Sequence, residues 1–196
     1  IIMAVIRDCN HKSDEELVEL TLSAQGWYLC LMKRYEDKLA RFIRRISGVN
    51  DQDLEDILQD VFIKAYRNLN NFDLDLKFSS WIYRICRNHV ISYYRKVQSR
   101  PQAIGGDDGE MILNLIQDEN DPHAVMDETL SNEKIKNVLS HMDKKYQEVI
   151  VLKYLEDKDY QEISDILKKP VGTVGTLLSR AKKQFKQIVQ KQGTEF

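Results

Sequence analysis

The chain has 196 residues, 42% of them hydrophobic and 31% charged, with a formal net charge of −2, a composition that suits one medium globular domain or two small ones. Apolar runs such as Val149-Ile150-Val151-Leu152 stop far short of a membrane span, and Ile1 to Ile6 is too short for a signal peptide, so a cytoplasmic protein without membrane insertion is expected. Cys9, Cys30 and Cys86 are odd in number, widely spaced and in no Cys-x-x-Cys pair, so buried thiols are expected rather than a disulfide framework or a zinc site.

Charge is sorted along the chain. Asp51 to Asp60 holds five acids and no base, whereas Tyr83 to Arg100 and Leu177 to Lys191 each hold five Lys or Arg and no acid. Such blocks suggest two basic surfaces for one partner and an acidic one for another. Few prolines and glycines, with apolar residues recurring at three- and four-residue intervals, predict an all-α protein: two small helical domains, 13–97 and 125–190, joined by a flexible acidic linker, 98–124.

The first strongly patterned helix has Asp53 as its expected N-cap and an apolar stripe at Leu54, Ile57, Leu58, Val61, Phe62, Ala65 and Leu69. Its other face carries Glu55, Asp56, Gln59, Asp60 and Lys64, which a merely solvated helix would also show. A loop follows, with the amides Asn70 and Asn71, then Phe72, Lys77, Phe78, Ser79, Ser80 and Trp81. Rings interleaved with cations suit unpaired bases, which stack while their phosphates need positive charge. The competing reading is that at least two of Phe72, Phe78 and Trp81 seal the core. A helix from about Ser80 to Val97 is expected to bury Ile82, Ile85, Cys86, His89, Val90 and Tyr93, with His89 a satisfied core histidine, and to project Arg84, Arg87, Asn88, Arg95 and Lys96.

Breakers and acids crowd the stretch Gln98 to Pro122, within which Met111 to Ile116 offers an apolar segment for docking. Beyond it, Asp159 and Glu162 have capping-box spacing, Ile163, Ile166 and Leu167 form a buried face, and Lys168 to Gly172 makes a turn. The next helix is expected to bury Val174, Leu177, Leu178, Ala181 and Phe185, leaving Thr173, Gly175, Thr176, Ser179, Arg180, Lys182 and Lys183 free. Small hydroxyls near a helix start, with cations behind them, suit a helix-turn-helix entering a major groove, although any αα-hairpin shares the apolar spacing.

Taken together, Asp53-Leu-Glu-Asp-Ile-Leu-Gln-Asp-Val-Phe-Ile-Lys-Ala-Tyr, Phe78-Ser-Ser-Trp-Ile-Tyr-Arg-Ile-Cys-Arg-Asn-His-Val-Ile-Ser-Tyr-Tyr-Arg-Lys, Tyr160-Gln-Glu-Ile-Ser-Asp-Ile-Leu and Leu178-Ser-Arg-Ala-Lys-Lys resemble the extracytoplasmic-function sigma factors, from about Ser13 to Gln190. The resemblance implies a non-enzymatic, cofactor-free subunit that binds core RNA polymerase, through its β′ clamp and β flap, and promoter DNA, and that pairs with an anti-sigma factor. It implies polymerase binding by Asp53, Glu55, Asp56, Gln59, Asp60 and Lys64. Minus-ten recognition would fall to Asn70, Asn71, Phe72, Lys77, Phe78, Ser79, Ser80, Trp81, Arg84, Asn88 and Arg95. Minus-thirty-five recognition would fall to Thr173, Thr176, Ser179, Arg180, Lys182 and Lys183.

Four positions depart from the family pattern, among them Ser164, which stands where a small alanine is usual. Lys168 stands where glycine is usual, which asks a left-handed backbone of a residue with a Cβ. Gly175 and Leu177 replace common basic residues. Gly193-Thr-Glu-Phe and the missing initial Met read as ends that are not native. Two rival functions remain at this stage. A stand-alone helix-turn-helix regulator would bind duplex alone as a dimer, and a phosphate-ester enzyme would gather metal on Asp53, Asp56 and Asp60. No phosphate-binding Gly-x-x-x-x-Gly-Lys loop is present.

Overall fold

A computed structural model describes residues 9–74, 76–98 and 126–192; the linker beyond 98, with its Met111 to Ile116 segment, and the closing Gly193 to Phe196 lie outside them. All regular structure among the described residues is helical, as the apolar periodicity predicts. The helices are α1 (Asp14–Ser23), α2 (Tyr28–Ser47), α3 (Asp51–Arg67), α4 (Phe78–Gln98), α5 (Met126–Ser140), α6 (Lys144–Ile150), α7 (Tyr160–Leu167) and α8 (Val171–Gln192). They divide into two compact units. One gathers the described residues up to 43, with 51–98 and 165–168; the other gathers 44–50, 126–164 and 169–192. No helix among the described residues is long and apolar enough to cross a membrane.

In the first unit α1 opens with a capping box. The Glu16 N–H donates to Ser13 Oγ at 3.1 Å, and the Ser13 N–H donates to Glu16 Oε2 at 2.6 Å. Leu17 and Val18 of α1, Leu31, Leu39, Phe42 and Ile43 of α2, Leu54, Ile57, Val61 and Phe62 of α3, and Ile82, Cys86 and Val90 of α4 form the core. The helix expected to start after Asp53 starts at Asp51, so Asp53 sits in the first turn. Asn50, Asp51 and Asp53 are all capping residue types, and the spacing of the stripe does not choose among them.

The expectation of separate thiols is corrected. Cys9 and Cys30 form a disulfide with Cα atoms 5.6 Å apart, while Cys86 is free and buried. Arg34 brings the two together: it donates to the carbonyls of Cys9 and Lys12 at 2.6 and 3.0 Å and pairs with Asp14 at 2.5 Å, folding the turn Cys9–His11 onto α2. That long-range approach leaves no mark on cysteine spacing.

In the second unit Val138, Leu139, Met142, Val149, Leu152, Ile163, Val174, Leu178 and Ala181 are buried. After α6 the chain makes a π-helical turn, Val151–Leu155, and Asp157 then takes a φ of 50°. The expected capping box opens α7: the Glu162 N–H donates to Asp159 Oδ1 at 2.7 Å and the Asp159 N–H to Glu162 Oε2 at 3.0 Å. Lys168 has a φ of 53°, the left-handed conformation that its place in the turn demands. Ser164 Oγ steadies that turn by donating to the Lys169 carbonyl at 2.6 Å.

Candidate nucleic-acid interface

The apolar stripe of α3 faces the core, which leaves Glu55, Asp56, Gln59, Asp60 and Lys64 exposed and Asp53 half-buried on the other side. Among the described residues no group of three or more His, Cys, Asp or Glu side chains is placed to hold a metal ion, so this acidic face does not converge as the phosphate-ester rival requires.

The N-terminus of α4 is capped from α1, where Glu15 Oε1 accepts the Phe78 N–H at 3.0 Å. This anchors a three-ring cluster. The centroids of Phe72 and Phe78 lie 5.6 Å apart, those of Phe72 and Trp81 5.3 Å, and those of Phe78 and Trp81 5.6 Å. Phe78 is 0% exposed and Phe72 and Trp81 are each 8% exposed. All three rings and Ser80 are thus packed in the core, and of the three rings Trp81 also lines the cleft beside them. Asn70, Asn71, Lys77, Asn88 and Arg95 are exposed, Ser79 and Arg84 half-buried. Leu74 and Leu76, which the sequence reading passed over, are exposed in the same loop.

Beside this cluster α3 and α4 enclose an open cleft of about 350 Å³. It collects Asn71, Trp81 and Asn88 from the expected minus-ten set, and Lys64 from the expected polymerase-binding set. Asn68, Ile85, His89 and Ser92 complete it. These four were not singled out as contacts, although Asn68 stands four residues after Lys64, just past the end of α3, and Ile85, Asn88 and Ser92 repeat along one side of α4. Asn70, Lys77, Arg84 and Arg95 do not line the cleft.

His89 is more than a core histidine. Its Nδ1 lies 2.6 Å from Lys64 Nζ and its Nε2 lies 3.3 Å from Asp60 Oδ2. An ammonium has only hydrogens to offer and a carboxylate only lone pairs, so the neutral Nε2–H ring satisfies both. Burial, then the Lys64 charge, holds the imidazole pKa below its ordinary value, with Asp60 opposing.

In the second unit every expected reading residue of α8, Thr173, Thr176, Ser179, Arg180, Lys182 and Lys183, is exposed. Val174, Leu178 and Ala181 are buried, while Leu177 and Phe185 are only half-buried. A Cβ on Gly175 would meet the Tyr160 ring at 3.7 Å, an ordinary van der Waals contact. The Lys182 ammonium lies 5.4 Å over the Tyr154 ring, whose hydroxyl holds the Lys182 pKa above its ordinary value. Tyr154, 50% exposed, is a second residue the spacing did not mark as part of this surface.

Residues 31–100 match the family model for Sigma-70 region 2 and residues 132–185 that for Sigma-70 region 4. The chain is 38% identical over 160 residues to the ECF RNA polymerase sigma factor SigW of Bacillus subtilis (strain 168), covering 78% of this chain and 83% of that protein. The chain belongs to the ECF RNA polymerase sigma factors. This sigma factor is also 31% identical over 184 residues to the ECF RNA polymerase sigma-E factor of Escherichia coli (strain K12), covering 91% of this chain and 95% of that protein. Its fold is similar to CnrH, solved in complex with the cytosolic domain of CnrY (TM-score 0.68, 24% identity, 92% and 99% of the two chains). It is likewise similar to the sigma factor RpoE of Bartonella quintana, solved in complex with the anti-sigma factor NepR (TM-score 0.63, 20% identity, 81% and 94%). As a sigma factor it binds core RNA polymerase, directs it to promoters and helps melt the minus-ten element; the stand-alone regulator is set aside.

Proposed function

We propose that the first unit divides polymerase docking and strand capture between two adjoining surfaces, and that the second reads the minus-thirty-five duplex with α8. The observation that carries this is the cleft in which Asn71, Trp81 and Asn88 meet beside Lys64, next to the acidic face of α3. Asp53, Glu55, Asp56, Gln59 and Asp60 suit a basic partner surface, which is the role of the polymerase β′ clamp. An unstacked base in the cleft would find amides for its edge and an indole for its face, with the Lys64 ammonium for its phosphate. Asn70, Lys77, Ser79, Arg84 and Arg95 border the path of the strand, and Phe72, Phe78 and Ser80 support it from beneath. On α8, Thr173, Thr176, Ser179 and Arg180 approach base edges while Lys182 and Lys183 take phosphates.

The domains are proposed as 13–97 and 125–190, with 98–124 threading the polymerase and the β flap holding the second. Either basic surface alone binds weakly. Docking fixes both on one polymerase, so each raises the effective concentration of the other at its own promoter element. Melting then follows from capture of unpaired bases, with no catalytic step and no cofactor on this chain. The work is done in the cytoplasm, where thiols are kept reduced, so Cys9 and Cys30 would work there as dithiol. By likeness to the solved complexes, an anti-sigma factor is proposed to cover the docking surfaces until a signal removes it.

The test is promoter-dependent transcription by core polymerase with and without this chain, beside duplex binding by the chain alone. Specific initiation only with both, weakened at least tenfold by Asp56→Ala with Asp60→Ala, supports the assignment. Initiation indifferent to that pair would move docking off α3.

A further inference from the structure

The strand cleft has a neighbour. A second cleft, of about 210 Å³, is lined by Asp56, Ile57, Asp60, Tyr93 and Lys96 and opens on the acidic face of α3. His89 lines both clefts. Its side chain is 10% exposed, against 62% for Asp60, so the ring forms the wall between them.

We propose that His89 is a positioning residue that links polymerase docking to strand capture: its neutral ring holds the Lys64 ammonium at the strand cleft through Nδ1 while its Nε2–H engages Asp60 of the docking face. This rests on the docking and cleft assignments above. Asp60 and Lys64 stand four residues apart on α3, a spacing at which they would pair directly and draw the ammonium back to the acidic face. The ring between them keeps the lysine on the cleft side and the carboxylate outward. A protonated ring could not do this, because its Nδ1–H would oppose the ammonium with both a hydrogen and a charge.

Docking then bears on capture through charge. The groups facing His89 are Asp56, Asp60 and Lys64 from α3, with Tyr93 and Lys96 from its own helix. Asp60 favours the charged ring, whereas burial and Lys64 oppose it. When a cation of the docked polymerase engages Asp60, that support is withdrawn. The ring is left neutral and its lone pair committed to Lys64, so the phosphate of an extruded base meets a fixed ammonium.

The experiment uses holoenzyme assembled at saturating chain and a fluorescent non-template-strand oligonucleotide, taken from a promoter on which that holoenzyme initiates. Affinity is measured by anisotropy between pH 5.5 and 7.5. His89→Leu is expected to weaken strand binding about tenfold at the upper pH, the size of one charge-assisted hydrogen bond. His89→Asn, whose Oδ1 stands near the position of Nδ1, is expected to restore most of it. In a Lys64→Ala background His89→Leu adds no further loss. The native holoenzyme weakens as the pH falls, and His89→Asn does not. Independent, additive losses from Lys64→Ala and His89→Leu would overturn the proposal, as would an Asn variant no better than Leu, which also covers the case of a poorly folded Leu variant. A holoenzyme that initiates but does not bind the single strand would overturn the cleft assignment itself, and this inference with it.

Discussion

As proposed, the two units meet nucleic acid in opposite ways. The first offers a concavity whose floor is its own core, since Trp81 lines the cleft and packs on Phe72 and Phe78, and whose rim is cross-linked through His89 to Asp60 and Lys64. The second offers the convex side of one helix, with Thr173, Ser179, Arg180 and Lys183 exposed along α8. A concavity ties recognition to the stability of the unit that forms it. A helix surface leaves its side chains nearly independent of the fold and of each other.

The strongest way to break this contrast is Phe78→Ala. Removing a fully buried ring should cost about 3–5 kcal/mol in urea unfolding and abolish single-strand binding with it. Capture that survives at full strength would mean that the cleft does not depend on the aromatic cluster. Reduction of Cys9–Cys30 comes next: it opens a loop of sequence separation 21, and a thermal melt with and without a thiol reductant should show a loss of about 3 kcal/mol. On the second unit, Arg180→Ala should cost about 1–3 kcal/mol on the preferred duplex if it reads a base edge. Lys183→Ala should weaken all duplexes alike and lower the salt dependence. The two effects should add to within about 0.5 kcal/mol, whereas Lys64 and His89 should not. The smallest expected effect has the opposite sign. Lys168→Gly relieves a left-handed backbone at φ 53° and should raise the unfolding free energy measured in urea by up to about 1 kcal/mol.

Legibility in the sequence follows how local the cause is. The stripe of α3 and the capping box of α7 depend on neighbours within four residues, and both are found where the spacing puts them. The left-handed Lys168 was legible because the turn between two helices demands it of whichever residue stands there. The disulfide was not, since the approach of Cys9 to Cys30 goes with contacts of Arg34 to Cys9, Lys12 and Asp14 across twenty or more residues. The cleft was half legible. Each helix shows its own contributors at helical spacing, but that Lys64 turns toward the strand side follows only from where α4 places His89. Aromatics beside cations left stacking and core-sealing both open for Phe72, Phe78 and Trp81, because ring composition is the same for a platform and for a plug; in the structure all three are buried.

The π-helical turn Val151–Leu155 carries a consequence for how this reading surface could change over evolutionary time. Each residue turns a helix by about 100°, so one extra residue in the turn swings whatever follows by more than a quarter circle. Tyr154 sits within the turn and reaches the ammonium of Lys182 on α8. Loss of a single codon there would carry the tyrosine round the axis, away from that lysine, with no reading residue of α8 altered. With α8 in the groove as proposed, promoter preference is open to insertions and deletions in the turn Val151–Leu155, as well as to substitutions in α8 itself.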